Sequence, residues 1–268
     1  MKTLADITTK LAGDTLTRWS AVLRQPRLLL LLLFVAASGA GVVLLGLRCV
    51  LGHQLAHLYL VWNLFLAWVP LGFALLARRF QRAPALLLSC SLGWLLFFPN
   101  APYLITDLVH LHARPPVPLW ADILLLQLFI WLALLLGFAS LFEMQALVKN
   151  FLGWRASWGF ALTALALAGF GVYLGRFARW NSWDVVISPL GVWADIWVRV
   201  TNPTAHPRTF GFSLLCFVVL LIAYLILYAL TAVRSELLRE ATDAPRSDLA
   251  GGSRGNARAT AAKVAYGS

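Results

Sequence analysis

Six long apolar stretches alternate with short polar segments along most of this chain. They lie at residues 28–47, 58–77, 85–98, 119–144, 157–175 and 210–231. As α-helices, most of these stretches are long enough to cross a hydrocarbon layer of about 30 Å, and the third is shorter than the others. The pattern predicts an all-α, polytopic membrane helix bundle with about six transmembrane helices plus interfacial helices.

The predicted membrane domain spans residues 28–231, and the segments on either side of it differ in composition. Residues 1–27 place apolar side chains opposite basic ones at helical spacing, which predicts an amphipathic cytoplasmic segment on the inner leaflet; a soluble partner helix is the alternative. Apolar sequence resumes at 42–47, so we expect the first stretch to be a retained span and not a cleaved signal. Residues 232–268 predict a basic, disordered cytoplasmic tail.

Composition and charge support a membrane protein and predict its orientation. The 268 residues are 60% hydrophobic and 12% charged, which excludes an ordinary soluble domain. Sixteen of the 22 Lys and Arg residues fall in segments on the same side as the N-terminus. This asymmetry predicts that both termini are cytoplasmic. It also accounts for most of the net charge of +11, so we expect anionic lipid as the electrostatic partner and no nucleic acid.

The third stretch ends at two prolines, Pro99 and Pro102, which flank Asn100 and precede Tyr103. Prolines three residues apart cannot continue a regular helix, and they end this one about 20–22 Å into the layer. The backbone groups that they free, and the Asn100 amide, need partners in protein or water. The break indicates either a site or pathway within the membrane, or a span that ends early and turns along the interface.

Polar residues that follow this break are candidates for chemistry. Asp107 and His110 share a helical face, where they are suited to act as a base and its orienting carboxylate or as metal ligands, or simply form the wet face of a surface helix. Asp122 opens the fourth stretch, where a carboxylate is favoured by the helix N-terminus. A zinc site of Asp107 and His110 with His53 and His57 is conceivable, but no compact zinc motif occurs. We therefore predict no metal, and any cofactor is unknown.

The fifth stretch presents a face of small residues that includes Gly171 and Gly175. Such faces let helix backbones approach closely in lipid. We expect internal packing of this helix, with a homodimer through the Gly171/Gly175 face as the alternative.

The densest polar block of the chain, residues 176–184, follows this face. Arg176 and Arg179 carry planar groups suited to phosphate or carboxylate, and Asn181 and Asp184 lie beside them. The arginines alternatively reach lipid headgroups or pair with Asp184 and Asp107. Further along, Asp195 and Arg199 are spaced to pair on a helix lying on the outer surface, whose tryptophans suit an aromatic belt.

Four blocks, at residues 63–70, 98–111, 137–141 and 173–184, resemble the bacterial membrane family called domain of unknown function 1361. The resemblance extends over about residues 55–230. It implies a polytopic fold in a bacterial cytoplasmic (inner) membrane, and it implies no particular activity.

These observations lead to one working hypothesis and two alternatives. We predict an outward-facing polar pocket that binds or processes an anionic lipid or lipid-linked headgroup. Its candidate residues are a clamp of Arg176 and Arg179, orienting groups at Asn100, Tyr103 and Asn181, and possible catalytic groups at Asp107, His110 and Asp184. The first alternative is a transporter or channel that uses the broken third span. The second is a non-catalytic assembly or structural protein whose arginines are fully paired. Whether the protein is an enzyme stays open.

Overall fold

A computed structural model describes residues 25–55, 57–113 and 115–243, and these residues form α-helices joined by short turns. The α-helices are α1 (Pro26–Gly52), α2 (Tyr59–Arg79), α3 (Pro84–Phe97), α4 (Asn100–Tyr103), α5 (Leu119–Arg176), α6 (Asp184–Ile187), α7 (Pro189–Thr201) and α8 (Pro207–Asp243). A 3₁₀ helix, Leu104–His110, continues directly from α4. The predicted all-α fold is confirmed.

Five helical segments are long and apolar enough to cross a membrane. They are Pro26–Gly52, Tyr59–Arg79, Pro84–His110, Leu119–Arg176 and Pro207–Glu240. The fourth has 58 residues, and at ~1.5 Å per residue it would be about 87 Å long if straight. Because that length far exceeds one crossing, α5 has to contain two spans. The protein is therefore a multi-pass membrane protein.

Gly153 divides α5 into these two spans. Its φ of 85° and ψ of 177° interrupt the helix between the predicted fourth and fifth stretches. A Cβ at this position would meet no atom within 4 Å, so glycine is favoured here by its backbone conformation and not by a lack of space. Counting the two sides of Gly153 separately gives six crossings, which is the number that the sequence predicts.

The core lies where α5 packs against α1, α2 and α4. Its fully buried side chains include Leu45, Leu60, Phe129 and Leu136. Close packing of such side chains is what holds membrane helices together, because lipid tails are as apolar as the side chains themselves. The long helix α5 is therefore the element against which α1, α2 and α4 pack.

Polar contacts mark two opposite ends of the bundle, as the ends of α2 show. Asn63, near the start of α2, bonds to Asp107, which in turn bonds to Arg176. Arg78, near the end of α2, pairs with Glu143 in α5. We call the first of these the Arg176 end and the second the Glu143 end. Arg27, at the start of α1, also pairs with Glu143.

The flanking segments are described only in part. Residues 1–24 of the predicted amphipathic segment at 1–27 lie outside the described residues. Helix α8 continues to Asp243, so residues 232–243, which the sequence assigned to the disordered tail, are helical. These residues include Glu, Leu, Arg and Ala, which extend an existing helix easily, and residues 232–243 contain no Gly or Pro. Residues 244–268 lie outside the described part of the chain.

Candidate functional site

The broken third span and the end of α5 meet at Asp107. Its Oδ1 accepts a hydrogen bond from Nη1 of Arg176 at 3.3 Å, and its Oδ2 accepts one from Nδ2 of Asn63 at 3.1 Å. The Asp107 residue is only 3% exposed. Side chains from α2, the 3₁₀ helix and α5 therefore converge on one buried carboxylate, and the predicted meeting of Asp107 and Arg176 is confirmed.

Arg176 also links Asp107 to His110. Its Nη2 lies 2.7 Å from Nε2 of His110. Because a guanidinium offers only donors, the histidine nitrogen is the acceptor in this contact. Arg176 thus lies between the two residues that the sequence suggested as a base and its orienting carboxylate. The arrangement joins them through a cation and not directly.

Asn100 and Ser182 connect the broken helix to the segment after α5. Nδ2 of Asn100 donates to the carbonyl oxygen of Phe97 and to Oγ of Ser182, both at 2.9 Å. Oγ of Ser182 in turn donates to the carbonyl oxygen of Leu96 at 3.1 Å. Groups of the protein therefore satisfy carbonyls near the helix break, as burial in a membrane requires. Ser182 was not among the predicted site residues.

The small-residue face of α5 packs against the same break. A Cβ at Gly171 would lie 2.6 Å from Cγ of Pro99, and one at Gly175 would lie 3.2 Å from Cε2 of Tyr103. The face is therefore occupied within the chain, as expected for internal packing. The alternative of a homodimer through Gly171 and Gly175 is not supported, because Pro99 and Tyr103 cover that surface. Tyr103 contributes its ring to this packing.

The turn after α5 separates the two arginines that were predicted to act as one clamp. The side chain of Arg176 is 13% exposed and bound to Asp107. Arg179 is exposed, has a φ of 61°, and makes no ion pair with the described residues. Asp184 stabilises the end of this turn, where its Oδ2 accepts hydrogen bonds from the backbone N and Nδ2 of Asn181 at 2.7 and 3.2 Å.

Asp195 attaches α7 to this turn. Its Oδ2 accepts a hydrogen bond from Nε1 of Trp180 at 2.8 Å, and Arg199 pairs with the same carboxylate as the sequence predicted. The guanidinium of Arg199 also lies 5.9 Å from the centre of the Tyr173 ring. Burial opposes the charge of Arg199, but Asp195, aided by Tyr173, outweighs this effect and raises the pKa of the guanidinium above its ordinary value.

A second buried ionic cluster lies between α1 and the start of α5. Nε and Nη2 of Arg48 donate to Oδ1 and Oδ2 of Asp122 at 2.7 and 2.9 Å. Nε2 of His57 lies 3.6 Å from Oδ2 of Asp122. Sequence reasoning treated Asp122 as a helix-end carboxylate and missed this pair. A general signal was present, since ionisable residues within apolar spans are expected to be paired, but it does not identify the partner.

Two of the three histidines considered for a zinc site lie in different clusters. His57 lies beside Asp122, and His110 contacts Arg176. Among the described residues there is no group of three or more His, Cys, Asp or Glu side chains that could hold a metal ion. The arrangement is one of ion pairs and hydrogen bonds.

Comparison with known proteins identifies a family and no characterised relative. A family model described as "Protein of unknown function (DUF1361)" matches residues 62–223, which include both the broken span and the segment after α5. No curated protein and no solved structure matches the chain.

Proposed function

We propose that this chain, which belongs to the DUF1361 family of proteins of unknown function, binds the anionic headgroup of a lipid or lipid-linked molecule at the Arg176 end. The observation that carries the proposal is the exposed guanidinium of Arg179, which has no acidic partner among the described residues. An arginine suits a phosphate because its planar group donates two parallel hydrogen bonds.

The backbone at Arg179 supports a binding role. A positive φ is uncommon for residues other than glycine, asparagine and aspartate, and a residue held in such a conformation costs about 1–3 kcal/mol. Hydrogen bonds on both sides fix the turn: Trp180 N donates to Leu174 O at 3.1 Å, and Asp184 binds Asn181. The fold therefore holds the exposed Arg179 in a fixed turn at the end of α5, where its guanidinium is accessible to a ligand.

The remaining candidate residues take supporting roles in this proposal. Arg176, Asp107 and Asn63 hold the broken span against α5, and Asn100 does the same through Ser182. His110 is exposed, and its imidazole ring lies where it can take part in hydrogen bonding to a phosphate near Arg176. We propose binding and no reaction, because Asp107 is buried and Asp184 is engaged by the turn that it stabilises.

The charge distribution supports the orientation of the proposed site. The Arg176 end contains few of the Lys and Arg residues, so by the positive-inside rule we expect it on the side opposite the termini. In a bacterial inner membrane with cytoplasmic termini, the bound headgroup would belong to the periplasmic leaflet.

The two alternatives differ in their support. A cavity beside the broken helix is lined by apolar side chains, including Phe98, Pro102 and Leu134, so this cavity does not favour a polar transport path. A non-catalytic structural role is favoured by the burial and pairing of Arg176. That role leaves the exposed Arg179 without an acidic partner among the described residues.

Native mass spectrometry of the purified protein tests the proposal. Charge-assisted hydrogen bonds contribute about 1.5–3 kcal/mol, so we expect Arg179→Ala to lose roughly tenfold or more of the anionic lipid that copurifies with the wild type. Arg208→Ala is the matched control, because Arg208 is also exposed and is placed on the same side by the predicted topology. Equal lipid occupancy in the wild type and both variants would contradict a headgroup site at Arg179.

A further inference from the structure

Helices α6 and α7 present a continuous apolar stripe that no described residue covers. Its five large side chains are between 65% and 83% exposed. They are Val186, Ile187, Leu190, Trp193 and Trp197. Soluble surfaces rarely expose so much contiguous apolar area, which indicates that another phase or molecule covers this stripe.

The side of α7 opposite the stripe contacts the bundle, so the stripe faces outward. Val192 is buried, Asp195 binds Trp180, and Arg199 lies against Tyr173. These polar contacts lie on the docked side of the helix, where they are sheltered from solvent. The exposed side consists mainly of apolar and aromatic side chains, as in a helix that lies along a membrane interface.

The position of α7 in the chain keeps it at the membrane surface. Its 13 residues would extend about 20 Å, which is too short to cross the hydrocarbon layer. It follows α5 and precedes α8, both of which contain membrane-spanning segments. Only five residues separate Thr201 from Pro207, so the C-terminal end of α7 cannot move far from the leaflet.

The stripe also adjoins a surface that faces lipid. The ring of Trp183, directly before α6, lies 6.3 Å from that of Trp62 near the start of α2. Trp62 and Phe65 are exposed on this membrane-spanning helix. The residue that leads into the stripe thus contacts an exposed aromatic face of a candidate membrane span.

We propose that α6 and α7 embed this stripe in the acyl region of the leaflet at the Arg176 end. In this arrangement α7 is an interfacial helix that anchors the turn containing Trp180 at headgroup depth. The stripe contacts acyl chains whatever the charge of the lipid headgroup, so this inference does not depend on a headgroup site at Arg179.

A fluorescent probe at Leu190 tests the depth of the stripe. The full-length protein is reconstituted in vesicles with Leu190→Cys labelled by a nitrobenzoxadiazole maleimide, and the unsubstituted protein supplies the background from its native cysteines. Asn202→Cys, in an exposed polar position at the end of α7, is the control. We expect acyl-brominated lipids to quench the Leu190 probe and iodide to quench it roughly threefold or more weakly than the Asn202 probe.

Two outcomes would overturn the inference. Equal iodide quenching at Leu190 and Asn202 would place the stripe in water. Protection that appears only at a high protein-to-lipid ratio would assign the stripe to a second copy of the chain. Should the Leu190 variant fold poorly, Trp197→Cys reports on the same stripe two turns further along the helix.

Discussion

Replacing Asp122 with alanine is expected to destabilise the fold by about 3–5 kcal/mol, because the substitution leaves a buried arginine without its counter-charge. Arg48 is 5% exposed and binds both carboxylate oxygens of Asp122. Its Nη1 lies against Gly52, where an added Cβ would be 2.5 Å away, so the guanidinium has little room to turn toward another partner. The pair therefore joins α1 to α5, and neither side chain is readily replaced alone.

Thermal unfolding in detergent measures this effect. Asp184→Ala is a suitable control, because it removes a carboxylate from an exposed turn and should lower the melting temperature far less. The double variant Arg48→Met with Asp122→Leu should recover most of the loss, since apolar residues of similar size can replace a buried ion pair. A double variant no more stable than Asp122→Ala would contradict the assignment of the loss to an unpaired charge.

Replacing Gly171 with valine is expected to destabilise the protein by about 1–3 kcal/mol, because the new side chain would overlap Pro99. An added Cβ alone would lie 2.6 Å from Cγ of Pro99. The proline ring cannot rotate away as a flexible side chain would, so the broken span has to shift away from α5. We expect this shift to weaken the contact between Asp107 and Arg176 as well.

Gly159→Val provides the matched control for Gly171→Val. Gly159 lies in the same half of α5, and a Cβ there would meet no atom within 4 Å. Both variants carry the same change in intrinsic helix propensity, so the difference between their melting temperatures isolates the contact with Pro99. Equal stability of the two variants would show that Gly171 does not pack against the break.

Much of the fold follows from sequence because a membrane imposes strong constraints on it. Spans have to be long, apolar and internally hydrogen-bonded, so their approximate positions can be predicted from the residues alone. The third stretch was predicted to end at the two prolines, but the helical segment distorts there and continues as a 3₁₀ helix to His110. The pairing of Asp195 with Arg199 could also be predicted, because a helix fixes the geometry of residues four apart.

The contacts that sequence reasoning missed are those between distant positions. Arg48 and Asp122 are 74 residues apart, and Asn100 and Ser182 are 82 apart. No local periodicity encodes such pairs, because they depend on how whole helices pack. For the same reason the sequence could not reveal that Arg176 would be buried while Arg179, one turn later, would be exposed with a positive φ.

Cross-linking in the membrane tests most directly the central claim that the broken span and the end of α5 meet. Nδ2 of Asn100 lies 2.9 Å from Oγ of Ser182, so Asn100→Cys with Ser182→Cys should form an intramolecular disulfide under mild oxidation, detectable by peptide mass spectrometry. Asn100→Cys with Asn202→Cys is the control pair and should form far less. If residues 100 and 182 both react with maleimide but do not cross-link, the two segments do not meet and the site described here does not exist.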